Sequence, residues 1–138
     1  MEPSELPPEL AVLLRDHIES YEQLELLLLM RAEKGTCWTA EALSSRLHFS
    51  SSLAHAALIR LESASFVKSR AQGAEKQHAY VCQSEAVEAT IDRLAAAYRE
   101  NPIPIIKLMS ANAIERLRTA ALRTFADAFI LRKDKNGG

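Results

Sequence analysis

The stretch Thr39 to Val67, TAEALSSRLHFSSSLAHAALIRLESASFV, leaves its backbone few options. Leu43 and Leu47 lie four residues apart, so they share one face of a helix. Thr39 is placed to cap that helix, and Glu41 falls in its first turn, where a carboxylate favours the positive end of the dipole. "FSSS" then interrupts the pattern with a tight turn that offers several capping hydroxyls. Ala54, Ala57, Leu58 and Leu61 resume it on one stripe of a second helix, from about Ser51 to Ala64. Two β-prone runs follow, "FVKSRA" and "HAYVCQ", separated by the polar loop "QGAEKQ"; they read as a hairpin.

The flanking segments read as helices. Gly and Pro are scarce, with 4 and 5 copies, and apolar residues make up 48% of the 138 residues. Pro7 and Pro8 suit the start of a helix running to about His17. "SYEQ" at Ser20 to Gln23 has the form of a capping box. It opens a helix, 21–33, whose "LELLLLM" is apolar nearly all round, as in a buried central helix. Gly35 ends it, and "TCW" is short and β-prone. Ser84 caps a further helix that carries Val87, Ile91, Leu94, Ala95 and Tyr98 at helical spacing. Asn101-Pro102 stops that helix. "IPIIKLM" suits a short helix starting near Pro102 or Pro104. A last helix is expected over 111–133, with Ile114, Leu117, Ala121, Phe125 and Ala128 along its inward side and a frayed tail, "RKDKNGG".

The order helix, short strand, helix, turn, helix, hairpin over 36–83 resembles the winged helix-turn-helix domains of bacterial regulators of the MarR and ArsR kind. Leu43 and Leu47 match the positioning helix, Ser50 and Ser51 the turn, and Leu58 and Leu61 the core of the recognition helix. "LESASFV" matches the usual Leu-Glu-x-Ala-Gly-Leu-Val join into the wing, with Ser65 where Gly is common. A side chain with Cβ makes a left-handed backbone costlier there. The implied fold class is mainly α (α+β): a winged helix with a small β-hairpin wing and N- and C-terminal helical extensions. The implied organisation is 1–35 as N-terminal helices, 36–83 as the winged module and 84–138 as a C-terminal extension, in one compact domain.

The same resemblance implies a non-enzymatic, DNA-binding transcription regulator. Its groove-facing positions are Ser51, Ser52, His55, Ala56, Ile59 and Arg60. Its wing positions are Lys68, Arg70, Lys76 and His78. A good bidentate contact to a base is worth about 1–3 kcal/mol of discrimination, and Arg60 is the strong candidate for one. Helical geometry turns Ser52, Ala56, Ile59 and Ser63 outward. Burying Ile59 in a partner would contribute about 1.5–3 kcal/mol, which rivals such a contact. The alternative is therefore a winged-helix protein–protein module that binds no DNA and uses Ala56, Ile59 and Ile130. Ile130 lies opposite Ile114 and Phe125 on the last helix, which makes that helix a candidate for homodimerisation or for closing over the leucine-rich helix.

Other classes have little support. A net charge of −1 gives no global attraction to nucleic acid or to acidic membranes. No apolar leader follows a basic start, and the longest apolar run is too short to span a bilayer, so a cytoplasmic setting is expected. Cys37 and Cys82 are expected to be buried and inert, although pairing of the short strand with the last wing strand would bring them near each other. The four histidines show no zinc spacing, and no cofactor is implied. Phosphate-binding, esterase and metalloprotease motifs are all missing from the sequence.

Overall fold

The computed structural model describes residues 6–81 and 83–137, with side chains described as far as Ile130. The described elements are α1 (Pro8–Asp16), α2 (Tyr21–Ala32), α3 (Ala40–Leu47), α4 (Ser51–Ser63), β1 (Val67–Gln72), β2 (Glu75–Tyr80), α5 (Glu85–Glu100) and α6 (Ile103–Gly137).

Hydroxyls start four of the helices by satisfying an orphan amide. Ser20 Oγ accepts from the Gln23 N–H at 3.2 Å, and Gln23 Oε1 reaches back to the Glu19 N–H at 2.8 Å. Thr39, Ser50 and Ser84 cap α3, α4 and α5 in the same way, through the amides of Ala42, Leu53 and Val87. The turn between α3 and α4 uses His48 in a left-handed conformation, φ 62°, with the Phe49 N–H returning to the Ser44 carbonyl.

α2 is the centre of the core. Leu24, Leu26, Leu27 and Met30 are all buried. α4 lies against it with Ala54, Ala57, Leu58 and Leu61 turned inward. Residues from the N-terminal helices, the helix-turn-helix and α5 join one continuous apolar cluster, so the flanking helices are part of the same core. A polar clasp supplements it. Arg31 of α2 contacts Glu88 at 2.8 Å and Asp92 at 2.9 Å, and lies over the Tyr80 ring. The Tyr80 hydroxyl donates to Glu88. Tyr98 donates to Glu25 at 2.8 Å, binding the far end of α5 to α2.

The ribbon is longer than its composition suggests. β1 and β2 pair antiparallel from Val67↔Tyr80 to Gln72↔Glu75, so most of the polar "QGAEKQ" segment is strand and only Gly73-Ala74 forms the turn. Gly73 has φ 66°, the pattern of a II′ hairpin, which needs glycine first. Polar residues are tolerated because this part of the ribbon is exposed on both faces. Among the described residues the sheet has two strands, and of the β-prone "TCW" only Trp38 meets it, through an isolated bridge to His78 on the last wing strand.

α6 departs from expectation in two ways. The short helix after Pro102 and the last helix are one element, because no proline or glycine interrupts "KLMSANAIE". The apolar stripe also faces the other way. Ile105 and Met109 are buried, and Arg116 reaches the Glu19 carbonyl at 3.1 Å, which defines the side turned to the body. Ile114, Leu117, Ala121 and Phe125 lie on the opposite side and are exposed, so they neither cap the core nor close over α2.

Where α4 meets the ribbon, the Phe66 N–H bonds the Leu61 carbonyl and the Ser65 N–H bonds the Glu62 carbonyl, both at 3.0 Å. This is a complete Schellman cap, with Ser65 at φ 67°. The left-handed backbone disfavours a side chain by about 1–2 kcal/mol, and Ser65 is exposed. Ser65→Gly is therefore expected to raise the stability by about 0.5–1 kcal/mol, after allowing for the looser unfolded chain. Chemical denaturation checks it; a lower midpoint would contradict the assigned conformation.

Candidate nucleic-acid interface

The inward stripe of α4 fixes what the helix presents. Ser51, Ser52, His55, Ala56, Ile59 and Arg60 are all exposed, and Ile59 is 64% exposed. Steps of about 100° per residue place Ser52, Ala56, Ile59 and Ser63 on the outermost ridge. That ridge carries no charge. His55 and Arg60 occupy opposite flanks. Arg60 turns toward the α1–α2 junction, where it meets Glu19 at 3.3 Å. Arg60 is largely solvated and Glu19 half-buried, so the pair contributes about 1 kcal/mol and competes only weakly with a phosphate. His55 turns the other way, toward the wing.

The wing divides its cations between two faces, because paired residues of a ribbon share a face and neighbours alternate. Val67–Tyr80, Ser69–His78 and Ala71–Lys76 lie on the face that meets the body; Lys68–Ala79 and Arg70–Gln77 lie on the outer face. Lys68 and Arg70 therefore form an outer pair, and Lys76 stands apart from them. Lys76 and His55 line one hollow of about 190 Å³, together with Thr39, Glu41, Glu75 and His78. The structure thus brings His55 and Lys76 together and separates both from Arg60.

His78 departs from the wing position that the resemblance implies. Its side chain is only 5% exposed, and its Nδ1 lies 2.6 Å from Ser69 Oγ. Its place on the body-facing side of the ribbon follows from strand alternation, which is readable once the register is known. Burial lowers its pKa below the ordinary imidazole value; Lys76 and His55 push the same way and Glu62 opposes. Cys37 is exposed, contrary to the expectation of a buried thiol, because only one residue of its segment, Trp38, joins the sheet. Cys82 lies outside the described residues. Among the described residues no cluster of His, Cys, Asp and Glu has the arrangement to hold a metal ion.

The C-terminal helix carries apolar groups on two sides. Ile130 continues the body-facing line from Arg116 and Arg123, and it is exposed because it lies beyond the reach of the core. Leu117 and Phe125 on the other side are each 71% exposed. Arg116 and Arg123 line a cleft with Arg15 of α1, where α6 leaves the body.

No protein-family model matches the chain, and no curated protein matches it either. Among solved structures the chain is similar to a double mutant of ZitR from Lactococcus lactis, with a TM-score of 0.50 and 15% identity over 80% of this chain and 78% of that one. HlyU from Vibrio cholerae, in its reduced form, matches with a TM-score of 0.49 and 23% identity over 67% of this chain and 88% of that one. The heme sensor protein PefR from Streptococcus agalactiae, in complex with heme, gives 0.45 and 17% over 83% and 76%. The likeness to ZitR is one of fold. The helix-turn-helix, the two-stranded wing and the bridge through Trp38 make this a winged helix-turn-helix protein.

Proposed function

We propose that this chain is a winged-helix DNA-binding transcription regulator, non-enzymatic, that works as a homodimer. The observation that carries the reading is an uncovered surface in which α4 and the wing tip flank one hollow, with His55 and Lys76 on its wall and Ser51 and Ser52 exposed at the start of the same helix. The winged scaffold is most often used with this helix in the major groove. Ser52, His55 and Arg60 are the groove-facing residues. Lys68 and Arg70 contact phosphate from one face of the wing and Lys76 from the other. Most of the affinity comes from the phosphate backbone, because the ridge of α4 offers few donors. The module 36–83 is the reading head, and 1–35 and 84–138 support it. A bacterial cytoplasm is the setting that this reading implies; no described helix is long and apolar enough to cross a membrane.

The partner surface on this reading is α6. Ile114, Leu117 and Phe125, exposed along one side of a 35-residue helix, form the kind of apolar band that a second copy covers. A two-fold pair also matches a palindromic site. Ile130, on the other side, meets the partner's body.

A second reading is a protein–protein module. It is favoured by the uncharged ridge and by the exposure of Ile59. On that reading Ala56, Ile59 and Ile130 contact the partner and duplex DNA is not bound.

Three outcomes are expected. Changing Lys68, Arg70 and Lys76 together to Ala weakens duplex binding and flattens its salt dependence by about 0.9 log units for each phosphate no longer neutralised. Anisotropy over a salt series measures this, and an unchanged slope rejects the DNA assignment. Ile59→Asp should leave thermal unfolding unaltered; on the protein-module reading it abolishes capture of the partner, and retained capture removes that reading. Leu117→Glu with Phe125→Glu should convert a dimer to monomers in sedimentation, whereas a wild-type monomer at micromolar concentration would exclude α6 as a dimer surface.

A further inference from the structure

His78 is the point at which the wing is fastened to the body. Its backbone exchanges two hydrogen bonds with Trp38, at 2.8 and 2.7 Å, and these join the ribbon to the segment that leads into α3. Its ring is buried. Nδ1 is engaged by Ser69, while Nε2 is enclosed and has no hydrogen-bond partner among the described residues. A neutral imidazole fits this place. A second proton would put a positive charge on a buried ring with no described protein group to accept from Nε2, and an unpaired buried charge is strongly disfavoured.

We propose that the root of the wing is a proton-sensitive latch: His78 holds the ribbon against Trp38 while its ring is neutral and releases it when the ring is protonated.

The surroundings favour release. Burial is the largest influence on the ring, and Lys76 on its own strand and His55 on α4 repel a second charge. Glu62 on α4 is the acidic group that opposes them, and it is exposed. Glu41 of α3 and Glu75 line the neighbouring hollow, but neither bonds the ring. Arg46 of α3 lies over Trp38, where it is paired with Glu33 at the end of α2 at 3.1 Å. From α2 and α5, Arg31, Glu88 and Asp92 are bound to one another beside Tyr80.

The sign follows from where the proton is held more tightly. The ring is less basic in the latched form than when exposed, so the latched form is favoured above the ordinary imidazole value, about 6.5. As pH falls below that value the open form takes up the proton first. The ratio of open to latched wing then rises about tenfold per pH unit, until the latched form also protonates. The ribbon carries Lys68 and Arg70, so release would also lower DNA affinity; that consequence rests on the DNA-binding reading, but the latch does not.

Trp38 is the single tryptophan and is itself buried, so its emission reports the latch directly. Lowering the pH of the full chain from about 7.5 to about 5 is expected to shift Trp38 emission to the red while far-ultraviolet circular dichroism holds its helical signal. The midpoint should coincide with the NMR titration of the His78 ring, below the ordinary imidazole value. His78→Gln should abolish the shift, and His55→Gln should keep it. The proposal is overturned by a shift that persists in H78Q, by emission that stays flat while His78 titrates, or by a change that tracks loss of helix. If H78Q does not fold, the wild-type comparison decides alone: separate midpoints for Trp38 and His78 reject the latch.

Discussion

The packing of α2 against α4 is the constraint on which the rest depends. α2 is apolar nearly all round, and its leucines are enclosed from several directions. Burial of one such side chain stabilises by about 1.5–3 kcal/mol. α4 meets it with a stripe of two alanines and two leucines, in which the small residues let the helix axes come close. Rotating α4 would expose Leu58 and Leu61 and bury Ser52 and Ile59. Everything that the outer surface of α4 can do is therefore set by what its inner surface buries.

That surface explains the division of labour in the proposed interface. A neutral ridge does not discriminate bases strongly, and the one arginine of the helix leans toward Glu19. Cationic contacts are left to the wing, where strand alternation splits them between two faces. A wing that enters a groove edge-on can use both faces, one toward each sugar–phosphate strand. Such a device positions the protein more than it reads sequence. The fastening at Trp38 and His78 matters for the same reason, because a wing positions charge only while it is held.

Much of the fold is legible in the sequence. The hydroxyl caps at Ser20, Thr39, Ser50 and Ser84 carry their own local geometry, and each stands at the start of a helix that the periodicity already marks. Ser65 is the clearest case: the departure from glycine marks a left-handed position, and its φ of 67° agrees. The ribbon is legible in existence but not in length, since polar residues in an exposed strand lack the alternation that a buried face imposes. The exposure of Cys37 is not legible at all, because in a short bridge it depends on which single residue pairs.

The periodicities, caps and turns are properties of neighbouring residues, and for that reason the chain by itself determined its helices and their order as far as α5, while the winged arrangement was implied by the resemblance of that order to known domains. It also determined that α6 has apolar residues on two sides. It could not say which of those sides meets the body, because a stripe on a wheel has no direction until another element packs against it. Only the tertiary structure decided that, and with it the pairing of Arg60 to Glu19, the meeting of His55 with Lys76 and the enclosure of His78. Each of these joins residues distant in sequence, and only packing sets how far apart they lie.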